Sequence, residues 1–464
     1  MLRKTLIVAI SGLVAASASY ADSLQEVYLQ ALQNDHQIKA DEAAFLAGKE
    51  AVNIGRAGLL PNVSARAQYS NTEQDSVGAL FTGGPASTTE IDRENEAYTA
   101  SLTQPLFDMA AWYNFQQGKA QSKQAEYQFA SAQQTLIVRV VEAYLNVLQA
   151  LDTLSTAKAE QKALSHQLEQ TKQRFEVGLA AITDVHEAQA AYDSANASTL
   201  QAQGNVGIQF EALEVLTGKK ADAISPLKDD FPVVNPTPAA RADWVDFALK
   251  NNYALKVAKA SSESSKQGAK AAKAGHLPTV NGRISYTHYD DTNTDITAQG
   301  NTSASDSRTV DGTTFAVTLD VPIYSGGGTS ARRRQAYQNW MQAQELYNKS
   351  LRDTIQQARS AHLQVVTDVA QVKAQKQALT SNMSAQEATQ AGYEVGTRNI
   401  VDVLQAQQRL YAAQRNYDNS RYAYILNNLR LKQAAGTLSP EDIQSLDQWM
   451  SNSQSINRDE VDAL

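Results

Sequence analysis

The feature that most constrains this chain is an internal duplication. Residues 174–192 read RFEVGLAAITDVHEAQAAY and residues 392–411 read GYEVGTRNIVDVLQAQQRLY. The pattern (F/Y)-E-V-G-x-x-x-I-x-D-V thus recurs 218 residues apart. Upstream, AGLLPNVSARAQYS at 57–70 matches AGHLPTVNGRISYT at 274–287, an offset of 217. Two distant matches at nearly one offset divide the chain into homologous halves, 22–217 and 244–438. Between them Pro226, Pro232, Pro236 and Pro238 mark a connector over 218–243.

Each half reads as helix, strand, long polar loop, strand, very long helix, glycine turn, helix. Alternation places strands near 61–70, 97–107, 278–288 and 314–324. In the first, Val63, Ala65, Ala67 and Tyr69 oppose Asn62, Ser64, Arg66 and Gln68. In the last, Phe315, Val317, Leu319, Val321 and Ile323 oppose Thr318 and Asp320. About ten residues suffice to cross a bilayer as a tilted strand. Tyr69, Tyr98, Tyr286 and Phe315 stand where an aromatic girdle would lie. A half-buried soluble sheet would also alternate. The segments joining the strands, Asn71–Asn95 and Tyr289–Thr313, are rich in Ser, Thr, Asp, Gly and Asn and read as long loops.

The helices exceed any ordinary globule. Residues 109–176 contain no proline and one glycine, Gly118, and 330–394 contain only Gly392. At 1.5 Å per residue the first is roughly 100 Å long. Leu136, Val140, Tyr144, Val147, Leu151 and Leu154 form a stripe at coiled-coil spacing, so the helices must pack along their sides. Shorter helices are expected over 182–217 and 399–435.

Compartment and chemistry are bounded by what flanks and what is missing. Arg3 and Lys4 precede an apolar run, Leu6–Ala18, and Ser19 and Ala21 frame a cleavage site. That is the layout of a secretory signal peptide over residues 1–21. No later apolar run could form a transmembrane helix. The chain has no Cys, its six His are scattered, and its net charge is −8. Those facts exclude thiolate chemistry and disfavour a metal site and a nucleic-acid partner. GxxxxGK[ST] and HExxH motifs are absent, so no catalytic residue, cofactor or metal is expected.

Four membrane strands cannot close a barrel, and an open edge in lipid strands backbone groups at several kcal/mol each. The subunit must oligomerise, as a dimer or anything larger. A many-stranded general porin would lack the helices, and a soluble coiled-coil scaffold would lack the strands.

The paired VGLAAITDV and VGTRNIVDV turns, the LLP and HLP strand entries, and the TQPLFDMAAW and VPIYSGGG strand exits resemble TolC-type outer-membrane efflux proteins. The resemblance runs from about Ser23 to Leu438. It implies a mixed α and β membrane protein: a homotrimer with a 12-stranded β-barrel, four strands per subunit, continuing into an α-helical periplasmic tunnel. The connector 218–243 and a flexible tail, 439–464, would lie in its equatorial region. The protein would sit in outer-membrane lipid of a Gram-negative bacterium, with most of the chain in the periplasm. It would serve efflux and multidrug resistance or type I secretion. Its partners would be a periplasmic adaptor protein and, through it, an inner-membrane pump of the RND, ABC or MFS class.

The resemblance also assigns residues. The turns Val177-Gly178-Leu179 and Val395-Gly396-Thr397 would dock the adaptor, although glycine alone explains a helix end. Arg398 would tie to Asp184 and Thr183, with Tyr393 adding a hydrogen bond, to hold the tunnel closed. A further link would join Gln167 to Arg421, weakened because Gln390 stands where a carboxylate is expected. Asp402 would form a ring of three carboxylates at the constriction, and Gln405 would replace a second ring. Asp184 and Asp402 are equally explained as helix N-terminal acids. The Arg332-Arg333-Arg334 run reads as a solvated helix start or a phosphate-binding patch.

Overall fold

The computed structural model describes residues 22–79, 86–221, 223–297, 303–451 and 456–457. The expected signal segment therefore lies outside the described residues. The first half supplies α1 (Leu24–Asn34), α2 (His36–Lys49), α3 (Ala51–Ala57), β1 (Asn62–Ala79), β2 (Ala86–Phe107), α4 (Met109–Glu176) and α5 (Ile182–Thr217). A short β3 (Ala223–Ile224) follows in the connector. The second half supplies α6 (Arg241–Asn251), α7 (Tyr253–Ala274), β4 (Thr279–Thr297), β5 (Ser303–Asp320), α8 (Gly328–Glu394) and α9 (Ile400–Ala435). The tail carries α10 (Pro440–Asp447) and β6 (Ile456–Asn457). No helix among the described residues is long and apolar enough to cross a membrane.

The chain forms two compact units, and each draws on both halves of the duplication. One comprises residues 44–127 and 256–349. Its sheet has the order β1-β2-β4-β5, antiparallel throughout, so the halves meet at the β2–β4 pair. The register puts Val63, Leu102, Ile284 and Phe315 in one cross-strand row, and Ala65, Ala100 and Tyr286 in the next. One face is therefore an apolar band, with Val63, Tyr98, Ile284, Phe315 and Leu319 exposed. The other face carries Asn62, Ser64, Arg66, Ser101, Thr103, Asn281, Arg283 and Ser285. A sheet with an apolar outer face and polar inner face fits lipid on one side and water on the other. At the end of the band the tyrosines meet acids: Tyr69 Oη donates to Glu94 Oε1 (3.3 Å) and Tyr286 Oη to Asp311 Oδ1 (2.9 Å).

The expected loops are largely strand. β1, β2, β4 and β5 run for 18, 22, 19 and 18 residues, through most of 71–95 and 289–313. Only 80–85 and 298–302 remain between strands, and they lie outside the described residues. The segments are polar on both faces, which removes the alternation signal. Their Thr, Ser and Ile residues still pair across strands, since pairing uses backbone groups rather than side-chain polarity. The last strand is shorter at its other end: it stops at Asp320, and Val321 and Ile323 lie beyond it, exposed. Pro322 has no N–H to continue the ladder. In the same unit α4 crosses close to α3. A Cβ at Gly118 would collide with the Ala51 carbonyl oxygen, which accounts for the single glycine in a 68-residue helix.

The second unit comprises residues up to 43, then 128–255 and 350 onward. Here the expected stripe on α4 is buried in full: Leu136, Val140, Tyr144, Val147, Leu151 and Leu154 belong to one core with α1, α5 and α9. Tyr144 Oη reaches the connector, donating to the Ser225 carbonyl (2.8 Å) and accepting from the Ser225 N–H (3.0 Å). The described residues of the connector and the tail include regular elements. β3 pairs with β6, and α10 buries Ile443 and Leu446 in the core. Isolated prolines marked the connector without revealing that a distant segment covers it.

A polar cluster lies on α4 and α9. Tyr422 Oη donates to Asp152 Oδ2, and Arg421 donates to the Lys228 carbonyl and approaches Asp229 at 3.9 Å. Burial pushes the Asp152 carboxyl up from 3.8 to about 6. The hydrogen bond from Tyr422 opposes that shift, Asp418 adds to it and Arg421 opposes it. Burial raises Asp418 as well.

Candidate functional site

Both long helices end at the repeated glycine by one mechanism. Gly178 has φ +77° and Gly396 φ +79°, left-handed values that L side chains rarely adopt. At the first tip the Leu179 N–H donates to the Arg174 carbonyl (2.8 Å) and the Gly178 N–H to that of Phe175 (2.9 Å). At the second, Thr397 N–H donates to the Gly392 carbonyl (2.8 Å) and Gly396 N–H to that of Tyr393 (3.1 Å). These are paired Schellman closures, which satisfy the last carbonyls and turn the chain back. They leave Val177, Leu179 and Val395 69%, 70% and 76% exposed. Three apolar side chains on two matched tips are thus presented to solvent.

The acids after the tips begin the returning helices. Asp184 Oδ2 accepts from the Ala181 N–H (3.2 Å). Asn399 Oδ1 accepts from the Asp402 N–H (2.8 Å), and Asp402 Oδ2 accepts from the Asn399 N–H (3.4 Å), a reciprocal capping box. Asp402 thus has a structural role in full. Its carboxylate stays 36% exposed and lies 3.9 Å from Arg398, four residues back in the turn that precedes α9. Gln405, three residues on, accepts from Arg409 Nη2 (3.2 Å).

Tyr393 is the centre of the tip. It is buried with Leu164, Ala195, Ile400, Val403 and Leu404, so α4, α5, α8 and α9 converge on it. The Arg174 guanidinium lies 4.8 Å from its ring centroid, a cation–π contact that couples the last turn of α4 to that of α8. Arg174 escaped the sequence reading, because a cation in the last turn of a helix reads as a dipole partner.

Several expected links are not made within one subunit. Arg398 pairs with Asp402 instead of Asp184, and its side chain is 61% exposed. Thr183 is exposed. Among the described residues no hydrogen bond joins Tyr393 to Asp184. The Gln167–Arg421 link is likewise not made within one subunit. Tyr422 bonds Asp152, so Arg421 stands at the level of Asp152, fifteen residues or roughly 22 Å along α4 from Gln167. Arg421 is instead held by Lys228 and Asp229 and lies 5.7 Å from the Tyr417 ring. Gln167 Nε2 and Gln390 Oε1 are both buried without a hydrogen-bond partner in one subunit. One is a donor and the other an acceptor. Among the described residues there is no group of His, Cys, Asp and Glu that could hold a metal ion.

A family model for outer membrane efflux proteins matches residues 27–219 and again 244–437, one match per half. The chain is 34% identical over 440 residues to the outer membrane protein TolC of Vibrio cholerae, covering 93% of this chain and 94% of that protein. It is 28% identical over 473 residues to the proteases secretion protein PrtF of Dickeya chrysanthemi, covering 100% and 98%. Among solved structures, the outer membrane protein VceC of Vibrio cholerae is similar with a TM-score of 0.73. That match is 18% identical and covers 89% of this chain and 96% of VceC.

Proposed function

Because the chain belongs to the outer membrane efflux protein family, we propose that its two helical tips form the closable periplasmic mouth of the duct. The protein is an outer-membrane exit duct and not an enzyme. Three subunits contribute four strands each to one barrel, which pairs the free edges of β1 and β5 with those of neighbours.

The observation that carries the gate reading is the convergence of four helices on Tyr393 beneath two matched, solvent-facing tips. Arg398 is exposed in the turn before α9, and its ion pair among the described residues is the 3.9 Å approach to Asp402, so it is available to Asp184 and Thr183 of a neighbouring subunit. An exposed ion pair is worth at most about 1 kcal/mol and a hydrogen bond about 1 kcal/mol. Three symmetric copies hold the mouth by several kcal/mol, within reach of a partner that binds the open tips preferentially. The unpartnered Gln167 donor and Gln390 acceptor supply a second link, amide to amide, across the same boundary. Asp402 repeats three times around the axis and makes a cation-attracting ring, single because Gln405 is neutral.

The exposed Val177, Leu179 and Val395 support docking of a periplasmic adaptor, with an inner-membrane pump of the RND, ABC or MFS class behind it. Cargo is small toxic compounds or proteins; a relative named for protease secretion supports the second. Arg398→Ser with Tyr393→Phe should raise single-channel conductance in planar bilayers while the trimer persists in detergent. Conductance at the resting value would remove these residues from the lock.

A further inference from the structure

A cationic groove lies just beyond the ends of the strands. It opens among the first turns of α4, the last turn of α7 and the first turns of α8, with a volume near 620 Å³. A hollow of about 400 Å³ adjoins it, and the two share Lys273 and Arg333. Lys270 completes the first and Arg334 the second, while Met109 and Leu277 give the first an apolar floor.

These four cations have no acidic partner among the described residues. Glu263, the one acid of α7, is 3.8 Å from Lys266, and α8 has no acid before Glu345. Lys270 reaches only the Tyr113 ring, at 5.7 Å. A solvated helix end explains Lys273, which complements the C-terminal dipole of α7. Arg333 and Arg334 stand in the second turn of α8, beyond the reach of its dipole, and no acid on that stretch of the helix answers them. An anion held between the two helices would balance this cluster of charge.

We propose that this groove binds a phosphate group, carried by an anionic glycerophospholipid of the periplasmic leaflet. Guanidinium groups match phosphate oxygens bidentately, and ammonium groups add point charges. Lipid is favoured over free phosphate by position and lining. Leu277 lies two residues before β4, Met109 two residues after β2, and both present apolar surface. Trp112 and Tyr324, exposed beside the same strand ends, are the residue types that settle at headgroup depth. The site rests on the outer-membrane placement and not on the gate, so failure of one leaves the other standing.

The test uses the detergent-purified trimer, incubated with phosphatidylglycerol or phosphatidylethanolamine and read by native mass spectrometry for lipid retained per trimer. Phosphatidylglycerol should be retained preferentially. Lys270→Gln/Lys273→Gln/Arg333→Gln should weaken retention about a hundredfold, at about fivefold per cation near a membrane surface. Arg430→Gln, in the other unit, should change nothing. Should the triple variant fail to trimerise, Arg333→Gln alone should show the fivefold loss and Arg333→Lys should restore most of it. Displacement of the lipid by millimolar inorganic phosphate would overturn the lipid source and leave a soluble phosphate ligand. Equal retention of both lipids, or retention unchanged by the variants, would overturn the site.

Discussion

Replacing Asp152 with Asn tests the buried cluster on α4 and α9. The Asp152 carboxyl titrates near 6 in the folded chain and near 3.8 when exposed. Its folded value is raised, so protonation favours the native state. Between about pH 4 and 6 the folded chain holds a proton that the unfolded chain has released, and stability falls as pH rises through that window. Below it both states are protonated and the penalty vanishes; above it the penalty is complete. Two units at 1.36 kcal/mol each make it about 3 kcal/mol per subunit. Asp418, raised by burial as well, adds in the same direction. Asn keeps an oxygen for the Tyr422 hydroxyl while removing the charge. Asp152→Asn should therefore be more stable than the parent at pH 7.5, by up to that amount. The two should converge at pH 4, as followed by near-ultraviolet circular dichroism during denaturant unfolding of the trimer. A variant that is less stable at pH 7.5, with the parent's pH slope intact, would show that the cluster holds its charge without strain.

Two predictions concern the tip. Arg174→Ala removes the cation from the Tyr393 ring, a contact worth about 1 kcal/mol per subunit when partly desolvated. Open-state dwell times in planar bilayers should lengthen several-fold, while Arg174→Lys should recover part of the effect. Asp402→Asn keeps a capping oxygen but removes the charge, so reversal potentials in a salt gradient should shift toward weaker cation preference with the trimer intact; an unchanged potential would put the selective ring elsewhere.

Much of this architecture was legible from periodicity and repetition. The six-residue stripe on α4 is buried because a heptad pattern can be satisfied only by lateral packing. The apolar faces of the strands were legible because side chains alternate whatever the partner strand. What failed needed information that is not local. The polar continuation of β1 and β4 carries no alternation to read, and the cover that α10 and β6 provide for the connector comes from more than 200 residues away. The position of Arg421 beside Asp152 was not legible, because sequence does not fix which turn of α9 stands beside which turn of α4. Arg174 was hidden for the same reason: its partner lies on another helix, at a level set only by packing. Gln167 and Gln390 could be named from resemblance, but their complementary unfilled valences appear only once each is seen buried in a single subunit.

The extension of the strands past the apolar band bears on where passage can be regulated. A disordered loop could swing across the opening and retract, at the cost of a few solvent contacts. A paired ladder cannot, because bending it inward breaks cross-strand hydrogen bonds that have no other partner. The outer rim built from the described residues is therefore a fixed collar, without a lid. It is also charged: Glu73, Asp75, Glu90, Asp92, Glu94, Glu96, Asp290, Asp291, Asp306 and Asp311 face only Arg93, Arg308 and His288 along these segments. Such a collar retains departing cations and repels anions over about 8 Å at physiological salt. It biases traffic by sign without stopping it.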